Sequence, residues 1–236
     1  MRVLVVGGSG LVGGLVLPHL ARRHSLCIFD LRPPADPSWN YNAGDVGNFD
    51  ALAHAAVGQE ALLYMAMGDK DYDTIASITT NFDVNVKGLY LALYAAHRAG
   101  ITHAVYTSSM SIYGGDLLTR YFPDEEITPD ASEMHGFSKR LGEDVGRNAT
   151  RAWGMSFNAL RLCFPVSDEQ WQAETRLGTP TLATSASDVA RVLLAALTYR
   201  AGFQAFMISG DYEQKLMNMS KARRSLGWAP LARPSK

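Results

Sequence analysis

Apolar positions follow two rhythms along this chain, short unbroken runs and longer stretches at helical spacing, and the two alternate. The unbroken runs are Val3–Val6, Leu26–Phe29, Ala61–Ala66, Ile101–Thr107 and Ser156–Cys163. Runs without polar alternation suit strands covered on both faces, as in a parallel sheet. A short strand from Tyr41 and a late one over Ala205–Ile208 complete the set. Between them, Leu11–Arg23 carries apolar residues at 11, 12, 15, 16 and 20, a helix that Pro18 should bend or shorten. Helical spacing recurs over Phe49–Val57, over Ile78–Ala99 with Gly100 as C-cap, from His135 onward, over Val189–Ala196 behind a Ser187-Asp188 cap, and over Ser220–Leu226. Alternating strands and helices predict an α/β fold, a doubly wound Rossmann-type parallel sheet with a small C-terminal substrate-binding portion. The expected division is 1–163 for the nucleotide-binding part and 164–236 for the smaller part, interleaved into one compact unit.

Three stretches break the rhythm. Residues 32–38 are proline-rich and read as a loop, 69–73 are charged and lie over a cleft mouth, and 168–187 lack periodicity and read as a lid or substrate loop. Arg176 in the last of these is a candidate anion ligand, with an exposed surface arginine as the alternative.

Composition removes several function classes. The 236 residues hold 22 basic and 23 acidic side chains, so no polyanion such as nucleic acid is expected as a partner. No apolar run is long enough for a membrane span, and no signal-peptide pattern is visible. Cys27 and Cys163 sit inside strand-like runs and read as small buried residues in a reducing cytoplasm. The six histidines show no metal-ligand spacing, so no metal is expected. A nucleophile elbow around Ser9 would need glycine at position 11, where Leu11 stands.

The chemistry begins at the first strand-to-helix junction. Glycines at 7, 10 and 13 follow the strand, and the helix opens with Leu11 and Val12. The first glycine permits a tight turn, the second lets a pyrophosphate approach the backbone, and the third lets helix and strand pack closely. Asp30 ends the next strand, about 20 residues on, where an acidic side chain meets the adenosine ribose hydroxyls. Arg32 is within reach of a 2′-phosphate, but the Asp30 carboxylate would repel one, so NAD is expected over NADP. Asp45, followed by Val46, either accepts from the adenine amino group or caps the helix beginning at Phe49. Met65 and Ala66 end a strand where a cofactor would lie. Asn85 is the polar residue of helix 78–99 expected to face the sheet, with a surface role as its alternative. Farther on, Ser108, Ser109 and Ser111 cluster at a strand's carboxyl end, and His135 and Lys139 share one helical face.

In this order the motifs resemble the extended short-chain dehydrogenase/reductase group, the NAD-dependent sugar epimerase/dehydratase family. They comprise Gly7-x-x-Gly10-x-x-Gly13, Asp30, Asp45-Val46, Asn85-Val-Lys-Gly88, Ser108-Ser109-Met-Ser-Ile-Tyr-Gly114, Ser138-Lys139, Leu160-Arg161, Ser187-Asp188-Val-Ala190 and Ser220 to Pro230. The compact second half is similar to that of uronate dehydrogenases, which oxidise the anomeric carbon of a sugar acid. The resemblance implies a sugar or nucleotide-sugar substrate held by Ser109, Ser111 and Arg176, with Ser109 orienting a hydroxyl and Lys139 holding the nicotinamide ribose. It also implies a homodimer through helices 78–99 and 135–153.

One position departs from the family. Its Tyr-x-x-x-Lys reads His135-Gly-Phe-Ser-Lys139 here. An imidazole is a competent proton acceptor at neutral pH, and a neighbouring Lys139 ammonium favours its neutral form, but it is shorter than a phenol. Three readings follow: an oxidoreductase or epimerase with His135 as acid/base, a non-catalytic dinucleotide-binding sensor or scaffold, or an enzyme in which Tyr113 or Tyr121 folds into the acid/base position.

Overall fold

The computed structural model describes residues 1–69, 71–175 and 181–234. Strand β1 (Arg2–Val6) leads into helix α1 (Leu11–Leu20), followed by β2 (Ser25–Asp30), β3 (Asn40–Ala43), α2 (Phe49–Ala56) and β4 (Ala61–Tyr64). Then come α3 (Ile75–Phe82), a π-helical turn over Asp83–Gly88, α4 (Leu89–Arg98), β5 (His103–Ser109) and α5 (Met134–Trp153). The last part holds β6 (Ser156–Leu162), β7 (Pro165–Val166), α6 (Asp168–Thr175), β8 (Thr184–Ser185), α7 (Ala186–Ala196), β9 (Phe203–Ile208) and α8 (Ser220–Leu226).

Seven parallel strands lie in the order β3-β2-β1-β4-β5-β6-β9. The chain winds outward from β1 to β3, returns, and winds the other way from β4, so the order reverses between β1 and β4. In open sheets of this kind that reversal leaves a crevice at the strands' carboxyl ends. The unbroken apolar run of β1 serves both faces. Val3 and Val5 pack with Val16, Leu17 and Leu20 of α1 and Val189, Val192 and Leu193 of α7. Leu4 and Val6 pack with Leu52 of α2, Leu89 and Leu93 of α4 and Ala149 of α5. Because β9 forms the seventh strand, residues beyond 163 extend the sheet itself.

Four elements differ from their sequence expectation. Helix α1 ends at Leu20 rather than Arg23 and keeps Pro18 inside it. The helix expected over 78–99 starts at Ile75, where Thr74 accepts a bond from the N–H of Ser77, and is interrupted by the π turn. Gly88 closes that turn because Val46 lies against it, leaving no room for a Cβ. The stretch 168–187 is only partly loop, since α6 and β8 form within it. One indole anchors α6 in place of an apolar stripe: Trp171 is buried and donates to the carbonyl of Ala183 (2.8 Å). Finally, Ser185 rather than the Ser187-Asp188 pair caps α7. Asp188 is buried and accepts from the N–H groups of Leu231 and Ala232 (3.0 Å each), fastening the C-terminal tail. Arg176 lies outside the described residues.

Candidate active site

A cavity of about 1250 Å³ runs along the carboxyl ends of β1 to β6. It exceeds the ~300–1,000 Å³ of ordinary small-molecule pockets, as an elongated cofactor with a small substrate beside it would require. One end is lined by Gly7, Gly10, Leu11, Val12 and Gly13 from the β1–α1 junction, Asp30 and Arg32 after β2, Asp45 and Val46 after β3, and Met65 and Ala66 after β4. The other end is lined by Thr107, Ser108, Ser109 and Ser111 from β5 and its following turn, His135 and Lys139 from α5, and Leu162, Cys163, Phe164 and Pro165 after β6.

The three glycines serve different neighbours. Gly7 has φ +82° and its Cβ would overlap the backbone of Ala66, while a Cβ at Gly13 would overlap the carbonyl of Gly8. At Gly10 a Cβ would meet only the Gly7 carbonyl oxygen, at 3.4 Å. The space that Gly10 keeps clear therefore belongs to the cavity. It lies at the N-terminus of α1, which has no side-chain cap and no acidic residue in its first turn. That end suits a pyrophosphate.

Asp30 stands at the end of β2 and accepts from the N–H groups of Ser9 (2.9 Å) and Arg32 (3.1 Å), so its carboxylate is fixed in the cavity wall. Asp45 accepts from the N–H of Gly47 (2.6 Å), and the cap of α2 is Asn48, which accepts from Ala51 (3.1 Å). The capping alternative for Asp45 therefore fails, and its side chain stays at the cavity wall. A dinucleotide fits these donors and acceptors.

Asn85 is placed differently. It is fully buried in the π turn, and its neighbour Val84, not Asn85, lines the cavity. Its Oδ1 accepts from the N–H of Gly68 (3.1 Å), and its Nδ2 donates to Asn81 Oδ1 (3.1 Å) and Ser138 Oγ (2.9 Å). The surface alternative is overturned, and Asn85 holds the wall from behind. A π turn inserted in a helix is a frequent mark of functional sites, and here its polar side chain joins the loop after β4 to α3 and α5.

Lys139 is buried, donates from Nζ to the carbonyl of Thr107 (2.8 Å), and lies over the Tyr106 ring at 4.9 Å. Burial pushes its ammonium down to about 8. One turn earlier His135 is half-buried, with Nδ1 enclosed and without a hydrogen-bond partner among the described residues. Burial first, and then the Lys139 charge, hold its imidazole down at about 4. Ser109 accepts from the N–H of Ser111 (3.0 Å) across the short turn after β5. The site thus brings Ser109, Ser111, His135 and Lys139 to one end of one cavity.

Neither alternative tyrosine enters it. Tyr113 is buried against Phe122, and its hydroxyl accepts from Nη1 of Arg161 (2.6 Å). Tyr121 is exposed, and neither residue lines the cavity. Behind the serines lies a buried cluster that single motifs did not reveal. Arg161 makes two bonds to Glu143 (3.0 and 2.8 Å), and Ser108 donates to the same carboxylate (2.7 Å). Cys163 reaches the cavity wall, where burial pushes its thiol up to about 12.

Comparison with known proteins agrees with this geometry. The model of the NAD dependent epimerase/dehydratase family matches residues 3–184. N-acetyl-alpha-D-glucosaminyl-diphospho-ditrans,octacis-undecaprenol 4-epimerase of Escherichia coli O157:H7 is 29% identical over 62% of the chain and 43% of its own length. The 3 beta-hydroxysteroid dehydrogenase/Delta 5-->4-isomerase of Mycobacterium tuberculosis is 38% identical over 48% of the chain and 33% of its own length. The chain thus spans less than half the length of these relatives. The structure of MoeE5 in complex with UDP-glucuronic acid and NAD superposes with a TM-score of 0.82 at 18% identity, covering 99% of this chain and 95% of that one.

Proposed function

Because the chain belongs to the NAD dependent epimerase/dehydratase family, we propose that it is an NAD-linked oxidoreductase or epimerase acting on a hydroxyl of a sugar or sugar acid, with His135 in the acid/base position. The observation that carries this reading is the convergence of Ser109, His135 and Lys139 on the end of the cavity opposite Gly10 and Asp30. MoeE5, bound to a nucleotide sugar acid and NAD, supports the substrate class.

The N–H groups beside Gly10 would hold the pyrophosphate of NAD, and Asp30 would face the ribose and disfavour a 2′-phosphate. A bound NAD would supply the hydride chemistry, taking the hydride of the carbon that carries the reacting hydroxyl. The chain supplies orientation and the proton's destination. Ser109 would orient the hydroxyl, and Lys139, fixed by its bond to the Thr107 carbonyl, would hold the nicotinamide ribose. His135 is neutral at pH 7 and so has a lone pair available, and the charge of Lys139 weakens it as an acceptor. Loss of the Lys139 proton strengthens it. The imidazole is shorter than the phenol it replaces, so the substrate sits closer to α5 or a water relays the proton.

The test is NADH formation, together with chromatographic detection of an epimerised product for turnover that returns its hydride, with a panel of uronic acids, nucleotide sugars and a 3β-hydroxysteroid, using wild type, His135→Ala and His135→Tyr. Turnover by wild type that is lost in His135→Ala supports the reading. Activity restricted to His135→Tyr overturns it in favour of a non-catalytic dinucleotide-binding protein. For assembly, the same family reading points to a homodimer through α4 and α5. Tyr90, Tyr94, His97 and Trp153 form an aromatic cluster there, and Tyr90 is exposed. Light scattering of wild type and Tyr90→Lys tests this, a monomeric wild type being the contrary result.

A further inference from the structure

The His135 imidazole has a neighbour outside the motifs. Tyr72, in the charged segment between β4 and α3, places its ring 5.7 Å from that of His135, inclined at 39°. Gly68 and Asp69 at its start are held by the π turn and by α3. Asn81 donates to the carbonyl of Asp69 (3.0 Å), and Asn85 accepts from the N–H of Gly68 (3.1 Å). Asn85 also donates to Ser138 Oγ (2.9 Å), which in turn donates to the carbonyl of His135 itself (3.0 Å). Asn81, Asn85 and Ser138 are all fully buried. The loop that carries Tyr72 and the helical turn that carries His135 are therefore joined through one set of hydrogen bonds centred on the buried Asn85.

We infer that Tyr72 is a positioning residue for His135: its ring covers the imidazole, excludes water from it and keeps it turned to the cavity. The inference rests on the reading of His135 as the acid/base group. A histidine with an enclosed, unpartnered Nδ1 has no hydrogen bond on that nitrogen to fix its rotamer, in contrast to one held by a carboxylate or carbonyl. Packing has to do the orienting, and the Tyr72 ring is the packing surface that the loop supplies. Among the described residues, the charged group that acts on the imidazole is Lys139 from its own helix, and the ring that lies against it is Tyr72 from the loop. Asp69 is the carboxylate that acts on Tyr72. Removing the Tyr72 ring lets water, and the field of Asp69, reach His135. Both favour the charged imidazole.

The experiment is a proton NMR titration of the histidine ring resonances in wild type, Tyr72→Phe and Tyr72→Ala, without substrate or NAD. His103, buried in β5 far from the loop and also held down at about 4, is the internal control for an intact fold. The expected result is a His135 midpoint that rises from about 4 toward 6.5 in Tyr72→Ala, a gain in proton affinity of about tenfold or more, with Tyr72→Phe like wild type and His103 unmoved. An unchanged His135 midpoint in Tyr72→Ala, or an equal shift in Tyr72→Phe, overturns the inference. Should His103 move too, the fold has opened, and wild-type nuclear Overhauser contacts between the two rings decide: their presence supports the inference and their absence overturns it. These readouts need no turnover, so failure of the proposed reaction and failure of the positioning role are separable.

Discussion

Nζ of Lys139 donates to the carbonyl oxygen of Thr107 at 2.8 Å, in an enclosed position one helical turn after His135. A backbone carbonyl orients an ammonium but lacks the full charge that would offset its burial, which is why the group is pushed down to about 8. Its charge therefore changes within the working pH range. When Lys139 is charged it depresses His135, and when neutral it releases it.

A pH dependence follows for the oxidation direction. Activity is expected to rise as pH increases through about 8, because deprotonation of Lys139 makes His135 a stronger acceptor. Lys139→Met should flatten that rise while weakening NAD binding, and His135→Ala should lower kcat by about 10²-fold or more. Steady-state rates from pH 6 to 9.5 check both. A rate that falls through pH 8 in wild type would contradict the coupling.

The glycines separate binding from folding. A Cβ at Gly10 meets little protein, so Gly10→Val is expected to fold with near-native stability while raising the Kd for NAD at least tenfold, about 1.4 kcal/mol. Gly13→Val has no such latitude, since its Cβ overlaps the Gly8 carbonyl, and about 2–4 kcal/mol of stability should be lost. Calorimetry with NAD, together with urea unfolding, distinguishes the two.

The Arg161–Glu143 pair, 1% and 2% exposed, also accepts the proton of Ser108 on its carboxylate. Such a pair is weak evidence for net stability, but removing one partner strands the other's charge. Glu143→Gln should cost about 3–5 kcal/mol in urea unfolding, and Arg161→Met a similar amount. Replacing both at once should cost less than the sum of the two single changes.

Acid sensitivity is expected from the buried histidines. His103 and His135 are both held down at about 4, mainly by burial, against an ordinary value of 6.5. Between those values the unfolded chain takes up protons that the folded chain refuses, so the stability contribution is full above pH 6.5 and is lost as pH falls toward 4. His103→Gln should flatten the decline measured by urea unfolding between pH 7 and 4.5. An equally steep decline would show that other groups dominate.

The strands, the helices that cover them and the nucleotide end were legible from neighbouring residues. Unbroken apolar runs need two covered faces, and the Gly7, Gly10 and Gly13 spacing states a demand of the backbone itself, so both can be read locally. Helix α6 was not legible, because a single Trp171 anchors it without periodicity. The interruption of the helix at 83–88 was also hidden, since the apolar residues at 82, 86, 89, 90, 93 and 94 still fall three or four apart.

For the site, sequence alone determined that Asp30 ends the strand after the glycine turn, that Ser109 ends a strand, and that His135 stands four residues before Lys139 on one helix. The last two are relations along one strand or one helix, where covalent geometry sets the distance, and the first follows from the strand–helix–strand order. Only the tertiary structure decided that Asn85 supports the wall from behind, that Tyr113 is committed to Arg161, and that Tyr72 lies on His135. Each of these joins side chains from separate elements. Which residue meets which is then decided by packing and by the need to satisfy buried polar groups, and neither is encoded in spacing along the chain.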